Sequence, residues 1–122
     1  MVVWFYTEDR KIHPYEGIQN IAKNKELDAV VCYNDQNAMG VIRALEALDL
    51  KIPDDVSVTG YDNFYMANQS DFRLTSIAHP QEKLGEMAAE LLLDLVVNGE
   101  NSEKQKIMIE PELVEGTSCK RR

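Results

Sequence analysis

The sequence predicts an α/β fold, a parallel sheet with helices packed on it. Three observations in the stretch from Asp28 to Asn63 carry that expectation. Ala29–Tyr33 is a continuous β-favouring run, the pattern of a strand covered on both faces, and Val56–Tyr61 reads as a second short strand. The segment between them places Ala38, Val41, Ile42, Leu45 and Leu48 at helical spacing. Each run then ends in small polar and acidic residues, Tyr33-Asn34-Asp35 after the first and Gly60-Tyr61-Asp62-Asn63 after the second. Ligands of open α/β sheets bind outside the carboxyl ends of the strands, so these ends are where a site is expected.

Taken in order, Val2–Tyr6 reads as a buried strand and Thr7–His13 as a polar loop. Pro14 suits the first turn of a helix, with Ile18 and Ile21 as its apolar face to about Asn24. Asn34 or Asp35 can cap the next helix. Pro53-Asp54-Asp55 is a turn signal ahead of the strand Val56–Tyr61. Asp62–Arg73 is a polar and aromatic connection, and Leu74–Ile77 a short strand. Pro80 opens the strongest helix of the chain. Its stripe is Leu84, Met87, Ala88, Leu91, Leu92 and Leu95, and Asn98-Gly99 ends it. Lys106–Ile109 and Leu113–Thr117 are extended segments separated by Pro111. That helix has no strand directly after it to pack on, which suggests part of a larger α/β structure.

Composition bounds the function. The 122 residues are enough for one domain and carry a formal net charge of −8. An acidic balance argues against nucleic-acid binding by this chain itself, because phosphate contacts need clustered Lys and Arg. Cys32 and Cys119 match no metal-ligand spacing and no disulfide framework, so a reducing cytoplasm is the default expectation. No apolar run reaches the roughly 18–20 residues of a membrane span. The start of the chain lacks the basic leader of a signal peptide, and it reads as a strand entered midway.

The candidate site residues follow from the strand ends. Asn34 and Asp35 are either a helix cap or hydrogen-bonding groups for a polyhydroxylated ligand, and one can cap while the other faces a cleft. Asp62 is either a turn residue or a second ligand group; the parallel placement of two acidic strand ends favours the latter. Tyr33, Tyr61, Phe64 and Tyr65 can offer ring faces to a sugar or belong to the core. His79 alone reads as a surface or capping histidine. No phosphate loop, nucleophile elbow or metal cluster is present, so an enzyme is poorly supported and no cofactor is expected.

One set of residues carries a resemblance. Asn34-Asp35, Ala38, Gly40, Ala44-Leu45, Ile52-Pro53, Asp55–Val58, Gly60–Asn63, Leu74–Ile77, Pro80, Leu84-Gly85 and Ala88 follow an ordered pattern. This pattern is similar to the LacI/GalR family of bacterial transcription regulators, and it covers nearly all of the chain beyond Asp28. Cys32–Asp35, Asp49–Pro53, and His79-Pro80 with the Glu110–Leu113 tail look most like the arabinose-responsive repressors within it, which carry a winged-helix head. The resemblance implies one lobe of a three-layer, periplasmic-binding-protein-like (type I) sensor domain. Residues 1–79 would be the second lobe, 80–105 a crossover helix of the first lobe, and 106–122 tail strands. A sugar effector held between lobes would change the DNA affinity of a head absent from this chain.

Carried over residue by residue, the family's ligand contacts fall on Asn34, with Asp35 as neighbour, and on Asp62 and His79. Tyr6, Thr7, Glu8 and Phe64 are weaker candidates. Met39 and Ser70 are the positions to inspect for a homodimer. The chain departs from the family in lacking most of the first lobe, so weak or no sugar binding by it alone and self-association through the orphaned helix are expected. Two other classes stay open: a sugar-binding protein of an importer, which would need export, and an enzyme on the same scaffold.

Overall fold

The structure is a computed structural model that describes residues 1–5, 14–24, 26–64, 72–99 and 105–121. The chain divides into two units, Met1–Ala78 with Leu113–Arg122, and His79–Glu112.

In the first unit, β1 (Val2–Phe5), β2 (Ala29–Cys32) and β3 (Ser57–Thr59) form a parallel sheet in the order β1-β2-β3. Val3 pairs with Val30 and Val30 with Val58. A parallel bridge from Thr59 to Thr75 joins β3 to the start of β4 (Ser76–Ala78), which pairs with β5 (Glu112–Val114). Helix α1 (Pro14–Asn24) connects β1 to β2, and α2 (Asp35–Glu46) connects β2 to β3. Both connections step the same way across the sheet. Right-handed crossovers then put both helices on one face. Accordingly α1 packs on α2, and α2 on β2 and β3.

The core lies between these layers. Ile18 of α1, Val41 and Leu45 of α2, and Val30 and Val58 of the strands are fully buried. Burying such side chains stabilises by about 1.5–3 kcal/mol each. Leu48, expected on the helix, falls in the turn after it, because Asp49 takes a left-handed backbone (φ 58°) that ends the helical hydrogen-bond ladder. Alternation sends Val31 and Thr59 to the opposite face of the sheet. There Tyr33 is 60% exposed and Leu113 56% exposed. The first unit thus builds the sheet and one helical layer.

The tail closes the sheet. Ser118 is fully buried. Its hydroxyl donates to the Val58 carbonyl (2.6 Å) and accepts from the Thr75 amide (2.8 Å). Val58 N–H in turn donates to the Ser118 carbonyl at 3.0 Å. Gly116 passes so close to Arg73 that a Cβ there would strike the backbone carbonyl, and that contact selects glycine.

In the second unit, α3 (Gln81–Asn98) follows Pro80 and ends at Gly99, whose φ is 57°. Its periodic leucines form the helix, yet none of its residues is buried. Met87 and Leu91 are half-buried and line a small groove with Gln105 and Ile107.

Candidate functional site

The strand register brings the two acidic ends together. Val31 pairs with Thr59 and Thr59 with Thr75, so the residues after β2, β3 and β4 emerge at one edge of the sheet. Backbone bonds continue the alignment beyond the strands. Asp35 N–H donates to Tyr61 O (2.8 Å), Gly60 N–H to Thr75 O (3.0 Å) and Asp62 N–H to Ile77 O (2.9 Å).

Asn34 is the N-cap of α2. Its extended backbone (φ −151°) lets Oδ1 accept from the Asn37 amide at 2.8 Å, meeting one of the helix's orphan donors. The cap uses the oxygen, and the Nδ2 end of the half-buried side chain is a donor beyond it.

Asp35 is 1% exposed. Its Oδ1 accepts from the Ser76 hydroxyl and its Oδ2 from the Phe64 amide, both at 2.6 Å. The Ser76 oxygen accepts in turn from the Asn63 amide at 3.1 Å. Burial raises the Asp35 pKa above the usual 3.8; the Ser76 and Phe64 donors oppose that shift, and the Asp62 charge adds to it. A Cβ at Gly60 would collide with Asp35 Oδ1, so glycine makes room for the carboxylate. Cys32 lies under the same edge. Burial, with the Asp35 charge second, pushes its thiol up to about 12, which keeps it protonated and inert.

Asp62 is half-buried and sits in a turn with left-handed backbone, φ 98° at Asp62 and 50° at Asn63. Sparsely populated backbone of this kind, held by surrounding bonds, is often found at ligand sites. A cavity of about 610 Å³ opens on the sheet face away from α1 and α2, and Val31, Tyr33, Thr59, Tyr61, Asp62 and Ile77 are among its walls. That volume suits a small molecule. The Phe64 side chain is 59% exposed beside this edge.

Of the other expected residues, Met39 is half-buried against the core of its own unit. His79 is the first residue of the second unit, half-buried, with Nε2 3.3 Å from Gln81 Nε2. Tyr6, Thr7, Glu8 and Ser70 lie outside the described residues. Sequence reasoning passed over Ser76, which ties Asp35 to Asn63. Among the described residues no cluster of His, Cys, Asp or Glu could hold a metal ion, and no helix is long and apolar enough to cross a membrane.

Comparison with known proteins accords with this geometry. The periplasmic binding protein-like domain matches residues 3–119. The chain is similar to the HTH-type transcriptional repressor PurR of Photorhabdus laumondii, 41% identical over 105 residues, covering 85% of this chain and 30% of that protein. It is also similar to the arabinose metabolism transcriptional repressor of Geobacillus stearothermophilus, 31% identical over 119 residues, with 95% and 33% covered. Among solved structures, a LacI family transcriptional regulator from Enterococcus faecium with bound ribose superposes with a TM-score of 0.77. It is 32% identical, with 87% of this chain and 39% of that one covered. The chain spans about a third of the length of the curated relatives it matches.

Proposed function

Because the chain belongs to the periplasmic-binding-protein-like domain family, in the form found in LacI/GalR regulators, we propose that it forms one wall of an effector site. Residues 1–79 are read as the second lobe of the effector-binding domain, 80–105 as a crossover helix of the first lobe, and 106–122 as tail strands. The effector is a sugar. The Asp62 carboxylate accepts from its hydroxyls, Asn34 Nδ2 donates to it, and the exposed rings of Tyr33, Tyr61 and Phe64 offer apolar faces. His79, Tyr6, Thr7 and Glu8 are further contacts in this reading.

One observation carries it: Asp62 is held at the sheet edge with left-handed backbone, on the wall of a cavity also lined by Tyr33 and Tyr61. The protein that carries this chain is a cytoplasmic, dimeric repressor without enzymatic activity, with Met39 and Ser70 at the dimer contact. Its effector shifts the balance of closed and open forms and so the affinity for DNA. The bound ribose in the Enterococcus relative supports a sugar, and the arabinose repressors support a pentose.

The test is calorimetry of L-arabinose and D-ribose on the gene product that carries this chain. Asp62→Ala is expected to weaken the bound sugar about 10- to 100-fold, the worth of a hydrogen bond to a charged group. Unchanged affinity in that variant refutes the site.

A further inference from the structure

We propose that Asp35 is the positioning residue of the effector site: its buried carboxylate clamps the Tyr61–Phe64 turn and so fixes where Asp62 stands. The inference rests on the reading of Asp62 as an effector contact and goes beyond it.

Three features of the geometry lead there. First, the carboxylate is fully engaged inside the protein, one oxygen by the Ser76 hydroxyl and the other by the Phe64 amide, each at 2.6 Å. At 1% exposure it offers nothing to a ligand. Second, the bonds bracket Asp62 on both sides. Asp35 N–H holds Tyr61 O, Oδ2 holds Phe64 N–H, and the Ser76 hydroxyl relays Oδ1 to Asn63 N–H. Third, the bracketed turn contains two non-glycine residues of positive φ, Asp62 and Asn63. Such backbone is sparsely populated and persists only when its surroundings over-determine it. The Asp35 carboxylate supplies that determination, and Gly60 gives it the space.

An ionised Asp35 can accept both donors, and a neutral one gives up acceptor capacity at one oxygen. Asp35 ionisation is therefore coupled to the shape of the turn. Among the described residues, the other titratable groups facing it are Asp62 and the Cys32 thiol. Cys32 stays neutral across the acid range.

The test begins with proton–nitrogen NMR of the 122-residue chain as a function of pH, a readout that needs no sugar. The Phe64 amide proton is expected far downfield, moving in one step that coincides with the Asp35 carboxyl carbon. The step should survive in Asp62→Asn and vanish in Asp35→Asn, where the Asp62 and Asn63 amides also shift. A flat Phe64 amide, or a step that persists in Asp35→Asn or disappears in Asp62→Asn, overturns the proposal. If Asp35→Asn does not fold, Ser76→Ala serves. It must displace the Asn63 amide and leave the Phe64 step in place, and an unmoved Asn63 amide counts against the relay. In the gene product, Asp35→Asn is expected to weaken L-arabinose or D-ribose at least tenfold. Full affinity there beside a weakened Asp62→Ala refutes positioning. Full affinity in Asp62→Ala instead refutes the effector reading, while the NMR result still judges the clamp.

Discussion

Asp35 and Asp62 stand at matching places, each three residues beyond the end of a parallel strand, β2 and β3. Their environments are opposite. Asp35 opens a helix, is buried, and gives both oxygens to donors from its own unit. Asp62 sits half-buried on left-handed backbone at the wall of a cavity. The difference lies in how far each carboxylate is enclosed. Ser76 and Phe64 close over Asp35, whereas Asp62 keeps part of its surface on the cavity wall. An acidic strand end is therefore a staple or a ligand group according to how deeply it is enclosed, and its position in the topology does not decide which.

Stability measurements can break this comparison. The largest effect is expected from Asp35→Ala, which strands the Ser76 hydroxyl and the Phe64 amide. Urea unfolding should show a loss of about 3 kcal/mol with an unchanged slope. Asp62→Ala should lose less, about 1 kcal/mol, because this carboxylate is only half-buried and alanine keeps the positive φ of the turn. Equal losses would erase the distinction. Next is Asn34→Ala, which removes the cap of α2 and should cost about 1 kcal/mol by the same measurement. Asp62→Gly is expected to gain about 0.5 kcal/mol, because glycine adopts the positive φ without strain. A gain in stability joined to a loss of sugar affinity would show that the strained turn serves binding.

The smallest effect is in pH. The native Asp35 carboxyl is raised above its ordinary 3.8. Its favourable contribution is present in full below that value and is lost as pH rises through the raised native one. Wild type should therefore lose stability relative to Asp35→Asn across that window, and a constant difference in urea midpoint would contradict this. Asp54 shows the reverse sign. Its hydrogen bond to Lys120 (2.8 Å) lowers its pKa, so its contribution is present above the ordinary value and lost as pH falls through the lowered one. The pair is exposed, and salt should abolish that slope.

Much of the fold was legible because it is written in local periods. Ala38, Val41, Ile42 and Leu45 have helical spacing, and all four are buried on the face of α2 that meets the strands. The runs at Ala29 and Val56 became adjacent parallel strands. The strand ends were legible as a place, from topology alone. The division of labour there was not, because Ser76 lies 41 residues from Asp35 and Phe64 lies 29. No local pattern records which distant donor arrives. Ser118 was missed for the same reason, its hydroxyl reaching Val58 across 60 residues. The leucines of α3 read correctly as a helix stripe, but periodicity states amphipathicity and says nothing of what covers it. Leu92, Leu93 and Leu95 are each more than half exposed.

The chain leaves the first unit after Ala78 and re-enters it at Leu113, and the strands at those two points, β4 and β5, are hydrogen-bonded neighbours. Exit and return therefore share one doorway. Residues 79–112 are, in architectural terms, a guest whose host is already stitched together by Ser118 and Thr117. A host of this kind can exchange its guest. Closing a loop costs only about 0.6 kcal/mol more for each doubling of its length. A short turn from Ala78 to Leu113 or a much longer insert would leave the register of β1, β2 and β3 as it is, so this scaffold can accept new sequence at that junction while the ends of β2 and β3 stay in place.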